Sequence, residues 1–448
     1  TNPTYGADGG APPLFLSPML STTAVTKSTT GSSIDFDPIE GDVIVDPGAI
    51  ITTSAGGMLV LAAPRVENYG SLIAQDGQVS LIGGRLVTFA RSDGSDTSVD
   101  PNVRGLIFRS LDRDNQLPSP TRPTAPDDGI VINRGFIESR RGYLSLVATA
   151  RGDVINEGLL SSTTSVSRNG KIALYAGRVT IGGSAIADQA GAITILPDED
   201  GETIPQGSPN EPAQFKRSQI EIGALAFTQT IVSGQPADDL ANPVGRLVQS
   251  TFAMGENALI YAPNADVNVG KSGQSQLGIL NTPAAQSLYA PIPSSISIGD
   301  NALVDVSGLK DVSVDVARNF ITITPVKRNE LRDTPTYREV VVDDSFTLNG
   351  QTLTVDIRRT GERDDGVRWV GSPLIEAGSL ASQIPVTVSE LMTTGGNVSF
   401  ASSENVSLGK GATVNFSGGW VNYTGSEPAT SRLVTAGGRI VDIGDAER

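Results

Sequence analysis

The amino-acid sequence predicts an all-β chain folded as a β-solenoid. A sixteen-residue pattern occurs three times, its apolar residues alternate as they do in strands, and glycine and proline punctuate it at turns. The 448 residues include 50 Gly and 27 Pro, and the best helix candidate is the short stretch 386–392. Together these observations favour many short strands over helices.

The repeat is the most specific of these observations. Its first copy, VENYGSLIAQDGQVSL, spans residues 66–81, and its second, VINRGFIESRRGYLSL, spans residues 131–146 without a gap. A third copy starts at Val154 and closes at residues 170–174, after an insertion of five residues within 163–169. One copy has too little apolar surface to fold alone, so we expect the copies to stack and bury a continuous core.

Asparagine and glycine recur at fixed positions of the pattern. The glycines are typical of turns, and the asparagines allow two interpretations: residues that tolerate a left-handed backbone, or inward-pointing residues whose side-chain amides form a ladder. These structural residues are Asn68, Gly70, Gly77, Asn133, Gly135, Gly142, Asn156, Gly158 and Gly170.

The same alternation returns at residues 258–260, 302–308 and 412–418, so we expect coils along most of the chain. The predicted organisation has four parts. They are a lead-in at 1–50, which is also compatible with the end of an upstream domain; coils at 51–324 with loops at about 91–128 and 197–218; a charged excursion at 325–383; and coils at 384–448 that continue into a longer chain.

The excursion at 325–383 differs from the rest in its clustered charge. Its alternating stretches 345–348 and 352–357 are joined by Asn349-Gly350, which predicts a hairpin. Because coil residues are committed to packing, we expect function to lie in this excursion and the other loops.

Composition argues against several classes of function. A net charge of −16 and a pI near 4.5 disfavour nucleic acid, which needs concentrated Lys and Arg. The absence of Cys removes disulfides and thiol chemistry, and the absence of His removes the usual proton-transfer side chain. No apolar run approaches the ~20 residues of a membrane span, so we do not expect the chain to insert into a membrane.

Several segments together resemble the filamentous haemagglutinin family of large bacterial exoproteins. The segments that carry this resemblance are 57–81, 129–135, 161–170, 192–203, 305–309, 328–331, 350–358 and 418–421. The resemblance implies a right-handed parallel β-helix, with haemagglutinin-type repeats, that is exported by two-partner secretion through a dedicated outer-membrane transporter. It implies no catalytic residues. The Asn-Pro-Asn-Leu and Asn-Pro-Asn-Gly-Ile signatures of the family's secretion domain do not occur, so we expect that domain to be truncated or upstream.

The leading hypothesis is therefore a non-catalytic segment of a secreted surface exoprotein that acts as an adhesin or a rod-like spacer. Its expected partners are the transporter and either host or microbial surface glycans or other copies of itself. The alternatives are a self-assembling extracellular filament protein and a polysaccharide-degrading β-helix enzyme.

The acidic residues offer candidate chemistry of two kinds. A glycosidase needs two carboxylates held about 5 to 9.5 Å apart, and the candidate pairs 238–239, 343–344 and 364–365 are adjacent in sequence, which separates them on a strand. Asp198, Asp200 and Glu202 form a weak calcium candidate, because the full calcium-loop pattern is missing. We expect no cofactor.

Two further motifs suggest modification and recognition. The sequons at Asn397, Asn405, Asn415 and Asn422 are possible glycosylation sites, and strands rich in Asn and Ser also generate this pattern by chance. Trp369 beside Arg368 is a possible recognition residue, and a lone aromatic there is also typical of local packing. The other aromatics able to stack on sugars are Trp420, Tyr337 and Tyr423.

Overall fold

The computed structural model describes residues 14–16, 41–84, 86–91, 106–111, 129–149, 152–182, 190–208, 211–212, 215–223, 250–270, 294–323, 352–375, 377–402, 404–435 and 437–446. The chain divides into two compact units. The coil unit comprises Thr1–Asp198, Lys216–Gly308 and Thr394–Gly418, and the second unit comprises Glu199–Phe215, Leu309–Thr393 and Gly419–Arg448. None of the helices described is long and apolar enough to cross a membrane.

The coil unit consists of successive coils of three strands, which enter three parallel sheets, A, B and C, in the same order each time. Among the described residues, each sheet has eight strands. The first coil comprises β1 (Leu14–Leu16), β2 (Asp42–Val45) and β3 (Ile50–Thr52), and the second comprises β4 (Met58–Ala63), β5 (Arg65–Asn68) and β6 (Ser71–Gln75). The third comprises β7 (Gln78–Gly83), β10 (Ile130–Asn133) and β11 (Phe136–Arg140), and a hairpin of β8 (Leu86–Arg91) and β9 (Leu106–Leu111) leaves it between β7 and β10. The fourth comprises β12 (Tyr143–Val147), β13 (Asp153–Asn156) and β14 (Leu159–Thr164).

The next four coils continue the order and are interrupted by strands of the second unit, β18 to β20 and β27 to β32. The fifth coil comprises β15 (Lys171–Tyr175), β16 (Arg178–Ile181) and β17 (Ala192–Pro197), and the sixth comprises β21 (Gln219–Gly223), β22 (Ser250–Met254) and β23 (Leu259–Tyr261). The seventh comprises β24 (Asp266–Val269), β25 (Ser294–Ile298) and β26 (Leu303–Asp305), and the eighth comprises β33 (Asn397–Phe400), β34 (Val406–Leu408) and β35 (Thr413–Asn415). The strands of the second unit that lie between them in sequence are β18 (Ile204–Pro205), β19 (Gly207–Ser208), β20 (Glu211–Pro212), β27 (Val312–Asp315), β28 (Phe320–Ile323), β29 (Leu353–Asp356), β30 (Thr360–Glu362), β31 (Arg368–Val370) and β32 (Pro385–Val386).

The predicted β-solenoid is confirmed, and its architecture is that of a parallel β-helix. The sixteen-residue pattern corresponds to one turn through β5, β6 and β7, and its second copy to β10, β11 and β12. The register keeps equivalent residues adjacent, because Val66 pairs with Val131 and Val131 with Val154. All three valines are fully buried, and each such side chain contributes about 1.5–3 kcal/mol relative to an exposed one.

The recurring asparagines form an inward amide ladder. The Asn68 Nδ2 donates to the Asn133 Oδ1 over 2.8 Å, and the Asn133 Nδ2 donates to the Asn156 Oδ1 over 2.8 Å. The ladder ends where the Asn156 Nδ2 donates to the carbonyl of Ala192 over 3.1 Å. The three asparagines are fully buried, so the geometry is that of the second interpretation, and each amide satisfies the next.

The repeated glycines are required by the close approach of successive coils. A Cβ on Gly135 would collide with the carbonyl oxygen of Gly70, and a Cβ on Gly158 would collide with that of Gly135. None of the three has a positive φ, so the lack of a side chain, and not backbone freedom, explains the residue type. Gly77 and Gly142 are restricted in the same way, by Gly57 and Gly77 respectively, whereas a Cβ on Gly170 would collide with Ser162 and Thr163 of the preceding strand in its own copy of the repeat.

The hairpin of β8 and β9 covers part of the outer face of sheet A. Outward-facing Val60 and Ile82 form a buried apolar cluster with Leu106 and Phe108 of β9. The Gln78 side chain fixes the hairpin by bonding both the N–H and the carbonyl of Leu106. This cover explains why every residue of β7 is buried, although a strand with one solvated face alternates.

The second unit has its own apolar core and consists of short two-stranded pairs, most of them antiparallel, with turns and short helices. Core residues from several segments pack together: Ile323, Leu353, Val355, Leu374, Ile375, Ala377, Val441, Ile443 and Ala446. Its remaining elements are α1 (Gly378–Ala381), α2 (Val388–Leu391), β36 (Val421–Thr424), β37 (Arg432–Val434), β38 (Ile440–Asp442) and the 3-10 turns Val316–Asn319 and Ile443–Asp445. The α2 helix lies in the predicted helical stretch, and Thr387 and Glu390 form a capping box at its start.

The observed bounds differ from the predicted organisation at both ends. β2 pairs into sheet B although it lies in the predicted lead-in, and β3 pairs into sheet C from Ile50, the last residue of that lead-in. Leu309–Thr393 and Gly419–Arg448 belong to the second unit, which therefore extends beyond the predicted excursion. The alternating residues of β27 and β36 read like coil strands, so local pattern alone does not separate them from the coils.

The predicted hairpin at Asn349-Gly350 lies outside the described residues. The described part of its second strand, β29, pairs antiparallel with β28, which lies about thirty residues earlier in the chain. The predicted loop at 197–218 contains the short strands β18 to β20.

Candidate recognition surface

The second unit presents an exposed polar surface with an aromatic side chain on the parallel pair of β27 and β36. Side chains alternate between the two faces of a strand, so one face presents every second residue. We call this face, with the residues that precede each strand, the Trp420 face. It comprises Lys310, Asp311, Ser313, Asp315, Trp420, Asn422 and Thr424.

Asp311 holds the two central side chains of the Trp420 face in place. The Trp420 Nε1 donates to the Asp311 Oδ1 over 3.1 Å, and the Asn422 Nδ2 donates to the same oxygen over 3.0 Å. Asp311 has a φ of 59°, a conformation that Asp adopts more readily than most residues. The indole is therefore oriented by a hydrogen bond while its side chain stays 47% exposed.

A cation and two hydroxyls complete the surface. The Lys310 ammonium lies 5.6 Å from the centre of the Trp420 ring, within the range of a cation–π interaction. Ser313 and Thr424 join the two strands through their hydroxyls at 3.3 Å. The face thus combines one aromatic plane with donors and acceptors, which suits a ligand that both stacks and hydrogen-bonds.

The structure places Trp369 in a different environment. Trp369 of β31 pairs with Gly361 of β30, and its ring occupies the space that a Cβ on Gly361 would need. Trp369 is therefore half-buried against the hairpin backbone, as a packing anchor is. Its neighbour Arg368 extends into solvent with a 90% exposed side chain, 3.9 Å from Glu362.

The other aromatic candidates divide in the same way. Tyr423 is 50% exposed, but in the alternation of β36 it lies on the face opposite Trp420. Tyr337 lies outside the described residues.

Asp198, the first residue of the calcium candidate, is bound by other protein side chains. The buried Asp198 carboxylate accepts a hydrogen bond from the Thr163 hydroxyl at 3.0 Å and lies 3.4 Å from the Arg140 guanidinium. The Asp200 carboxylate accepts from the backbone N–H of Glu202 at 2.9 Å. Among the residues placed by the structure, no three acidic, His or Cys side chains are grouped to hold a metal ion.

The structure describes one of the three adjacent acidic pairs. Asp364 and Asp365 lie in the turn between β30 and β31 and are exposed, and the Asp365 carboxylate accepts hydrogen bonds from Arg363 and Val367. The pairs at 238–239 and 343–344 lie outside the described residues.

Three of the four sequon asparagines share an arrangement. Each donates its Nδ2 to an aspartate on the neighbouring strand or directly before it: Asn397 to Asp266 at 2.8 Å, Asn415 to Asp305 at 3.1 Å, and Asn422 to Asp311 at 3.0 Å. Asn405 of the fourth sequon is exposed. The match of V-D-V-S-G at 304–308 with V-N-F-S-G at 414–418 is a signal for the second of these pairs. Asp311 was missed because its partners lie about 110 residues later in the chain.

The coil unit carries a separate charged network on sheet B. The Glu67 carboxylate contacts Arg65 and the Tyr69 hydroxyl, and Arg134 reaches both Tyr69, at 2.8 Å, and Glu157, at 2.5 Å. Burial by itself raises the pKa of Glu67, but the hydrogen bonds from Tyr69 and Arg65 and the nearby positive charges outweigh it, so the pKa lies below its ordinary value. The hydrogen bond to Glu67, and then burial, raise the pKa of Tyr69.

No protein-family model, no curated protein and no solved structure matches this chain.

Proposed function

We propose that this chain is a non-catalytic segment of a large secreted bacterial surface exoprotein that acts as an adhesin or spacer. The observation that carries the proposal is the stack of three-strand coils, whose register is continuous in all three sheets. The family resemblance of the repeat adds the route, which is export through an outer-membrane transporter of two-partner secretion.

The physical argument starts from what the coils leave available. Alternate residues of each strand point inward, where they pack in the core or form the amide ladder. Because these residues have no access to a partner, the coils serve to space and support other groups. The second unit presents the exposed Trp420 indole and several polar side chains on the Trp420 face, where a binding partner has access to them. A net charge of −16 is compatible with a surface protein that avoids polyanions.

Surface display is tested by labelling a single cysteine on intact cells. The natural chain has no Cys, so Arg368→Cys creates one thiol at a side chain that is 90% exposed. A membrane-impermeant maleimide applied to intact bacteria should label this variant, and deletion of the transporter should abolish the labelling. Ile172→Cys, at a fully buried position, is the matched control and should stay unlabelled until the protein is denatured.

The proposal fails if Arg368→Cys is labelled only after the cells are lysed. Labelling of Arg368→Cys and Ile172→Cys to the same extent on intact cells would show that the exported chain is unfolded, which contradicts display of a folded adhesin or spacer.

A second candidate, a self-assembling extracellular filament, is favoured by the edge strands. β33, β34 and β35 are last in the order of their sheets, and Leu408 and Phe416 are 55% and 65% exposed there. Edge strands with apolar side chains are ready to pair with another chain. Sedimentation of the purified chain tests this: concentration-dependent polymers that Leu408→Lys abolishes would support the filament, and a monomer at all concentrations would exclude it.

A further inference from the structure

We propose that the Trp420 face binds a neutral hexose ring, which would make a surface sugar the ligand of this chain. The inference deepens the proposed function and rests on it for its biological meaning, while the binding itself is a property of the isolated chain. Three features carry it: an oriented indole, acceptor atoms left open around it, and local charges that offset each other.

The indole is prepared for stacking. Pyranose rings have an apolar C–H face that packs on an aromatic plane, and Trp offers the largest such plane. The hydrogen bond from the Trp420 Nε1 to Asp311 fixes the ring before any ligand arrives. Fixing a side chain in advance lowers the entropy lost on binding, and this favours a half-exposed but oriented indole over a mobile one.

The polar atoms around the ring match sugar hydroxyls. Both donors that reach Asp311 go to its Oδ1, so its Oδ2 accepts from no other group in the described part of the chain. The Asn422 Oδ1 is likewise an open acceptor there, since only the Nδ2 of this side chain is bonded. Each sugar hydroxyl both donates and accepts, so adjacent hydroxyls are able to bond to these acceptors and to the Lys310 ammonium.

The charges indicate a neutral ligand. Lys310 and Asp311 are adjacent and both exposed, so their charges offset each other beside the ring, and Asp315, paired with Thr424 at the far end of the face, adds a second carboxylate. An acidic sugar would meet the Asp311 carboxylate at hydrogen-bond distance from the ring edge, and a cationic ligand would meet the Lys310 ammonium above the ring. A hexose without a formal charge avoids both repulsions.

The test uses the fluorescence of a single tryptophan. The chain has two Trp, so Trp369→Phe leaves Trp420 as the only indole and removes a residue that is packed away from this face. Methyl β-galactoside and methyl β-glucoside are titrated into the purified variant. Saturable binding of at least one of them should shift the Trp420 emission to shorter wavelength and protect it from iodide quenching.

Matched variants locate the site. Asp311→Asn keeps an Oδ1 acceptor for the indole and removes the open Oδ2, and we expect it to weaken binding about tenfold, as the loss of one hydrogen bond does. Asn422→Ala should weaken binding by a similar factor. Tyr423→Phe changes the opposite face of the same strand and should leave the affinity unchanged. Thermal melting of each variant verifies folding, and Asp311→Asn provides a test that retains the indole.

The outcomes separate the two proposals. If neither glycoside changes the emission of folded Trp369→Phe protein, or if N-acetylneuraminic acid binds more tightly than both, the hexose inference is wrong, whatever the surface-labelling result. If the glycosides bind but Arg368→Cys is never labelled on intact cells, the sugar site stands and the proposed function fails.

Discussion

At the scale of single residues, the amide ladder shows how one side chain satisfies its neighbours in two coils. Asn133 is the central member, because its Oδ1 accepts from Asn68 and its Nδ2 donates to Asn156, both over 2.8 Å. Water has no access to these fully buried amides. The ladder therefore depends on each member being present.

Asn133→Ala should destabilise the chain strongly. The change leaves a buried donor on Asn68 and a buried acceptor on Asn156, and each unsatisfied group costs about 1–3 kcal/mol. Asn405→Ala, at an exposed asparagine, is the control and should change the free energy of unfolding by less than about 0.5 kcal/mol. Urea unfolding measures both, and equal effects of the two substitutions would contradict a structural role for the ladder.

Gly135→Ala should also destabilise the chain, for a steric reason. The added methyl group meets the backbone oxygen of Gly70, which cannot move without displacing the neighbouring coil, and overpacking of this kind costs about 1–3 kcal/mol. Gly418→Ala is a matched control, since a Cβ there has no atom within 4 Å and its φ is not positive. Differential scanning calorimetry should show a lower melting temperature for Gly135→Ala alone. An unchanged value would mean that the coils are spaced more loosely than described.

At the scale of elements, a hydrogen bond joins the turn after β5 to the turn after β10, and an ion pair joins the turn after β10 to the turn after β13. Arg134 of the turn after β10 contacts Tyr69, which follows β5, and Glu157, which follows β13. The guanidinium also lies 5.6 Å from the Tyr69 ring. Three successive coils are thus connected outside the core as well as inside it.

This network predicts that the free energy of unfolding depends on pH through Glu67, and that Glu67→Gln removes this dependence. The pKa of Glu67 is lower in the folded chain than its ordinary value of 4.5, so the ionised form stabilises the fold above about pH 4.5. This contribution is lost as the pH falls from that value through the lowered pKa. The stability difference between wild type and Glu67→Gln should therefore shrink between pH 7 and pH 3. If urea unfolding gives a difference that stays constant across this range, the ionised Glu67 carboxylate does not stabilise the fold.

The elements that the sequence predicted are those whose partners repeat its own pattern. β5, β10 and β13 pair with a register already visible in the alignment of Asn68, Asn133 and Asn156. β29 pairs with β28, whose sequence is unrelated, so no repeat pointed to it. In such pairs the partner is chosen by tertiary packing, and a local pattern contains no information about it.

The candidate site follows the same rule. Trp420 was recognisable as an aromatic able to stack, but its orientation depends on Asp311, which is distant in the chain. Trp369 stood beside an exposed arginine and suggested recognition, whereas Gly361, its cross-strand neighbour, makes it a packing residue. Side-chain types were therefore predictable, and the contacts that distinguish binding from packing were not.

The coil unit as a whole behaves as a one-dimensional array of coils in which each contacts only the next. Stability in such an array is approximately a sum of coil terms and interfaces between neighbours, so inner coils are supported on two sides and edge coils on one. Burial follows this expectation, because Val154 of β13 is fully buried whereas Val406 and Leu408 of β34 are 43% and 55% exposed. Both strands belong to sheet B.

The rate of amide hydrogen exchange should therefore increase along sheet B from the inner strands to the edge strand. Amides of β13 lie between two paired strands and should exchange only through extensive unfolding, while those of β34 should exchange through local fraying with a much smaller opening free energy. β25, the strand paired with β34, should be intermediate. Mass spectrometry of peptides from these strands measures the order β34, β25, β13 from fastest to slowest. Identical protection in all three would mean that the coils open as one cooperative unit, because interfaces between coils would then be too strong for an edge coil to open separately.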